Sequence, residues 1–137
     1  MHARDLASRY VALWNEPDAE SRRKAIEELW AEDGAHILQP PREMRDIAAA
    51  LGFDSTTLEA RGYDAFEVRV TRSYEEFVAP GQFTFRPGDA AVRLHDIVKF
   101  HWEMVPTDGG AVAGGGLEIL VLDEDGRIKT DYMFPGL

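Results

Sequence analysis

No cysteine occurs in the 137 residues, which excludes disulfides, thiolate nucleophiles and the cysteine-based zinc frameworks together. Serine is scarce, with four in all and none in a GxSxG elbow, so serine-based nucleophilic chemistry has little to build on. Basic residues are outnumbered, 15 Lys and Arg against 25 Asp and Glu, for a formal net charge of −10. The longest basic run is "RRK" at 22–24, too little to neutralise a phosphate backbone, so no nucleic-acid partner is expected. The same balance disfavours an anionic membrane surface. No apolar run approaches the ~20 residues of a spanning helix. "MHARDLASRY" has no apolar core for a signal peptide, so a cytoplasmic location is expected.

What is present suits one soluble globular domain over 1–137, with 45% hydrophobic and 29% charged residues. Ala3, Leu6, Ala7, Tyr10, Leu13 and Trp14 recur at the spacing of one helical face. Pro17 stops that helix, and Asp18 is a good N-cap for a second one carrying Ala25, Ile26, Leu29 and Trp30, ending near Gly34. "AHIL" reads as a short strand closed by Pro40 and Pro41. "REMRDIAAAL" predicts a short helix with Met44, Ile47, Ala48 and Leu51 inward. Helical spacing returns over 57–78 at Tyr63, Phe66, Val70, Tyr74 and Phe77.

Beyond Pro80 the period becomes 2. Strands are predicted at "QFTF", 90–105, 111–122 and 127–134, with hairpins at "PTDGG" and "DEDG". Helices first and hairpins last indicate an α+β fold, an antiparallel sheet with helices on one face. Gly114, Gly115 and Gly116 inside a strand predict a bend or a close approach there. "GGAVAGGG" is no phosphate loop, because it lacks the Lys-Ser/Thr ending and precedes a strand.

Two acids stand out. In "RLHDIVKFHWEM", Asp96 shares a parity with Leu94, Val98, Phe100, Trp102 and Met104. It is therefore expected inside, desolvated, as a general base, unless an Arg or Tyr on a helix above pairs with it or a β-bulge turns it to solvent. Glu118 lies in "GGGLEILVL", where both parities are otherwise apolar, so it is expected to be protonated, paired or facing a cavity. His36, His95 and His101 raise a metal reading, but no HxH or HExxH spacing supports it and no metal is expected.

"RYVALWNEPDAESRRKAIEELWAEDGAHILQPP", "VKFHWEM" and "LVLDEDGRIKTDYMF" resemble the nuclear transport factor 2-like superfamily, in its SnoaL-like branch. The resemblance implies a cone-shaped fold, with a strongly curved sheet around N-terminal helices and a deep apolar pocket, often paired through the sheet as a homodimer. Its members include ketosteroid isomerases, polyketide cyclases, limonene-type epoxide hydrolases and dehydratases. Against the isomerase pattern, Tyr10 matches the oxyanion-donating tyrosine and Glu118 maps near the acid that stays protonated. Gln39 stands where the proton-shuttling aspartate would be. Against the epoxide hydrolase pattern, Asp96 is in place, Leu94 fills the arginine's slot, and the second carboxylate falls at Asp131 in a poor register.

The resulting expectation is cofactor-free acid/base chemistry on a small, apolar, cyclic substrate, of isomerase, cyclase, dehydratase or epoxide hydrolase type. Asp96 is the expected base, with Tyr10 and Glu118 as donors. Trp14, Trp30, Gln39, Phe66, Phe100 and Trp102 are the expected pocket wall. The rival expectation is a non-catalytic ligand-binding or dimerisation domain, which the substitutions at Gln39 and Leu94 favour.

Overall fold

Helix α1 (Ala3–Asn15) buries Leu6, Ala7, Tyr10, Val11, Leu13 and Trp14, the stripe its apolar spacing predicts. Helix α2 (Ala19–Leu29) starts at Asp18, whose carboxylate accepts the Ser21 amide at 2.9 Å and caps an otherwise orphaned donor. In this computed structural model, which describes residues 2–136, there follow β1 (Trp30–Leu38), α3 (Arg42–Ala50), β2 (Leu58–Arg61) and α4 (Tyr63–Ser73). A π-helical turn (Tyr74–Val78) extends α4 before the chain enters β3 (Phe83–Pro87), β4 (Val92–Leu94), β5 (Ile97–Pro106), β6 (Gly114–Leu122) and β7 (Ile128–Pro135).

The strands form one curved, unclosed sheet in the order β2-β1-β7-β6-β5-β3, with β4 paired to β5. Every pairing is antiparallel except β1 with β7. The α+β architecture and its cone form are those the sequence predicts. Helices α1, α2 and α4 fill the concave side, where Tyr10, Trp30, Phe66, Phe100, Ile26, Leu120 and Ile128 make a continuous core. The Asn15 side-chain amide fixes α1 to the sheet: its nitrogen donates to the Phe85 carbonyl at 2.7 Å, and its oxygen accepts the Phe85 amide at 2.8 Å. Among the described residues no helix is long and apolar enough to cross a membrane.

Four local expectations are corrected. Trp30 opens β1 instead of closing α2. The helical period over 57–78 conceals β2, which is followed by Gly62 at φ 83, a conformation suited to glycine. Helix α3 does not turn Met44, Ile47 and Leu51 inward, because no layer lies over it; they are 43%, 63% and 72% exposed. The strand expected over 90–105 is two strands, since Leu94 pairs with Ile97 and leaves His95 and Asp96 as a two-residue turn.

The glycine tract has a steric reason. Gly116 lies opposite Trp102 in the β5–β6 register, and the indole rests on its bare backbone. A Cβ there would meet Trp102 Cζ2 at 2.6 Å and the Phe134 carbonyl oxygen at 2.7 Å. The carbonyl is backbone and cannot turn away. Gly116→Ala is therefore expected to destabilise the fold by about 1–3 kcal/mol, the usual cost of overpacking, read as a lower urea midpoint at unchanged slope.

Candidate functional site

Side-chain alternation along the inner strands delivers polar groups to one place. On β6, Glu118 faces the concave side with Leu120 and Leu122, and all three are buried. On β7, Asp131 pairs with Leu120 on one side and His36 of β1 on the other. Glu118 is thus a diagonal neighbour of Asp131, close enough to interact across the sheet. From above, α1 lowers Tyr10 onto the pair. Its hydroxyl lies 3.1 Å from Glu118 Oε2 and 2.5 Å from Asp131 Oδ2. Trp102 Nε1 donates to Glu118 Oε1 at 3.0 Å, a contact that the bare Gly116 makes room for.

Protons can be counted here. A tyrosine hydroxyl has one hydrogen to donate. With both neighbours ionised, one of its two contacts would set lone pair against lone pair. A carboxyl must hold the second proton, and Glu118 is the group whose environment keeps it. Burial pushes its pKa well above the carboxylate range, and the charge of Asp131 adds to the effect. Burial and the same two acids also push the Tyr10 hydroxyl up, so it stays protonated.

His36 and Arg69 complete the cluster. Arg69 Nη1 donates to His36 Nδ1 at 2.8 Å and approaches the carbonyls of His36 and Leu58 at 3.3 Å. A guanidinium is only a donor, so Nδ1 must be the acceptor and Nε2 carries the ring proton. Burial lowers the pKa of His36 and keeps the ring neutral. Its Nε2 faces Asp131 Oδ2 at 3.7 Å.

His36, Glu118 and Asp131 have donor atoms within 4.8 Å of one another, the spacing of a metal site. Their chemistry opposes one. Nε2 presents a hydrogen instead of a lone pair, because Arg69 takes Nδ1, and a guanidinium sits behind the ring.

Above the cluster opens a pocket of about 390 Å³, within the size range of small-molecule sites. Glu118, Tyr10 and His36 meet it at one end, and Trp14, Phe77, Phe85, Trp102, Met104 and Met133 supply most of the wall. Of the residues the sequence singles out for the site, Trp14, Trp102, Tyr10 and Glu118 are among those that line the pocket. Trp30, Phe66 and Phe100 do not line the pocket. They pack in the core around Tyr10, whose ring centroid is 5.6 Å from Trp30 and 5.4 Å from Phe100, with Phe66 behind Trp30 at 5.0 Å. Gln39 is also outside the lining, its backbone amide tied to the Met133 carbonyl at 2.9 Å.

The expectation for Asp96 is overturned. Its side chain is 51% exposed in the β4–β5 turn, bonded to the ring of its neighbour His95 at 3.2 Å. That hydrogen bond holds its pKa below the ordinary range, the opposite of a desolvated base. Sequence reasoning missed Asp131 as a partner of Glu118, and missed His36 and Arg69 as their neighbours.

The geometry matches known structures. An Agrobacterium tumefaciens protein provisionally called an isomerase of the SnoaL-like family superposes with TM-score 0.76 at 22% identity, over 97% of this chain and 96% of that one. A SnoaL-like protein of unknown function from Burkholderia thailandensis gives 0.64 at 16% identity, over 98% and 95%. A provisionally named polyketide cyclase from Sinorhizobium meliloti gives 0.58 at 11%, over 94% and 93%. No protein-family model matches the chain, and no curated protein matches it. The chain has the nuclear transport factor 2-like fold. Its structural neighbours include proteins of the SnoaL-like branch, and at these identities the likeness establishes architecture alone.

The proton on Glu118 has a stability signature. Below the ordinary glutamate value of 4.5 the folded and unfolded chains both hold that proton. As pH rises past it, only the unfolded chain releases the proton, so stability falls until the folded-state value is reached. A glutamine side chain in its place would keep the shape and hydrogen bonds of the protonated acid without titrating. The stability of Glu118→Gln relative to wild type is expected to grow as pH rises above 4.5, read from urea midpoints across the series. A pH-independent difference would show that Glu118 ionises normally.

Proposed function

We propose that the protein is a cofactor-free acid/base enzyme acting on a small apolar ring compound with a carbonyl group and an acidic C–H beside it. One observation carries this reading: a fully buried glutamic acid at the end of an apolar pocket shares the Tyr10 hydroxyl with a second buried carboxylate. Two acids and a phenol that share one surplus proton form a single titrating unit. A double hop, from Glu118 to Tyr10 and from Tyr10 to Asp131, leaves Glu118 ionised and Asp131 neutral with no change in net charge. In that form Glu118 can take a proton from substrate carbon. Once protonated it can return that proton at another position, which is the balance of an isomerisation. The apolar wall excludes water and protects the intermediate. The provisional isomerase and cyclase names of two structural neighbours agree with this class of chemistry.

The test is hydrogen–deuterium exchange at the carbon beside the carbonyl of 2-tetralone and related bicyclic ketones in D2O, followed by NMR. Wild type should accelerate exchange, and Glu118→Gln and Tyr10→Phe should each lower the acceleration by about 100-fold or more. Asp96→Asn should leave it unchanged. Wild-type protein that binds these ketones without accelerating exchange would be a binding protein, and the catalytic reading would fail.

The convex side of the sheet supports a homodimer. Ile97, Tyr132 and Phe134 are each 38% exposed, and half-buried Leu117, Ile119 and Val121 lie between them in register. Ile119→Glu places a charge in the middle of that patch. It should convert a dimer to a monomer in size-exclusion chromatography, and a wild-type monomer would remove the proposal.

A further inference from the structure

Arg69 is placed oddly for a structural residue. It is half-buried on α4 in the wall of an apolar pocket, and burial opposes its charge. Arginine cannot shed that charge by losing its proton. Among the described residues no carboxylate lies within ion-pair distance of it; its hydrogen bonds go through Nη1 to His36 and the Leu58 carbonyl, all neutral acceptors. The opposite charge in the cluster, Asp131, lies on the far side of the His36 ring. A desolvated cation without an anion at contact is costly, and a ligand anion removes that cost. One turn further along α4, Ser73 lines the same pocket, and its hydroxyl makes no hydrogen bond among the described residues. A guanidinium with spare donors and an unengaged hydroxyl, four residues apart on one helical face, form a recess for a carboxylate.

We propose that Arg69, with Ser73, selects ligands that carry a carboxylate on an apolar ring system, so that the substrate class is a ring-bearing organic acid. This rests on the acid/base reading of the same pocket. The ring fills the wall formed by Trp14, Phe77, Phe85 and Trp102, and the carboxylate binds at the Arg69 corner. Glu118 lines the same pocket, on the other side of His36 from Arg69, so the ring bound there lies within reach of it.

The experiment measures binding and does not depend on turnover. Titration calorimetry compares 2-naphthoate with the isosteric neutral 2-naphthamide on wild type, Arg69→Gln, Ser73→Glu and Glu118→Gln. Wild type should prefer the carboxylate by about tenfold or more, as expected for a charge-assisted hydrogen bond. Arg69→Gln should abolish the preference while keeping the amide's affinity, which reports that the pocket is intact. If Arg69→Gln fails to fold, Ser73→Glu decides, because it neutralises the guanidinium from one turn away and leaves its bonds in place. Glu118→Gln should retain the preference even where it abolishes exchange, which separates the two readings. Equal binding of both probes by wild type, no binding of either, or a preference that survives the neutralised guanidinium overturns the inference.

Discussion

Tyr10 has one proton and two carboxyl groups to share it with, and much of the structure serves that arrangement. Its ring is fixed among Trp14, Trp30 and Phe100, so the hydroxyl cannot move off the sheet without opening the core. The helix that carries it is held to edge strand β3 by the Asn15 amide. The sheet beneath is bared at Gly116, which lets Trp102 lie close enough to satisfy the outer oxygen of Glu118. Replacing the acids with hydrophobic residues of similar volume would be expected to cost little stability, because buried ionisable clusters seldom favour folding over a packed apolar core. Such a cluster at the end of a cavity is therefore better explained by chemistry than by stability.

How much of this the sequence discloses depends on whether the side-chain period runs unbroken. Helix α1 keeps its period throughout, so Tyr10 and Trp14 are placed correctly from spacing alone. Glu118 is legible because "GGGLEILVL" is apolar on both parities, so its acid must be buried whichever way the strand faces. Asp96 misleads because Leu94 and Ile97 pair across a turn of only two residues. His95 enters that turn at φ 55, which histidine adopts without the glycine that normally marks a hairpin. Alternation counted through the turn continues on paper after the chain has reversed.

Asp131 is hidden by the converse effect. The β6–β7 ladder shifts register between Val121 and Leu122, opposite the start of β7. Ile128 and Asp131 both end up buried although they are three apart. Parity counted from Ile128 would send Asp131 outward and Tyr132 inward. A bulge leaves no letter in the sequence, so an acid beyond one is assigned to the wrong face. Arg69 is missed for a different reason. Helical patterning identifies the apolar stripe, and a cation beside Val70 reads as its solvent-facing border until a cavity is known to lie there.

The charge balance constrains how an anion would reach this pocket. At −10 overall, the protein repels anions at long range, so electrostatic steering cannot draw a carboxylate in. Salt limits that repulsion to roughly 8 Å at physiological ionic strength. Inside the pocket the balance changes, because Glu118 is neutral and the Arg69 guanidinium is the charged group in the lining. The affinity of an acidic ligand must therefore come from its apolar body, which the aromatic wall removes from water, with the guanidinium discriminating at contact. A small hydrophilic acid gains the contact but not the burial. A neutral ring compound gains the burial but not the contact. Only a ligand with both features meets both the aromatic wall and the guanidinium, and under the proposed reading its ring carbons lie beside Glu118 in the same lining.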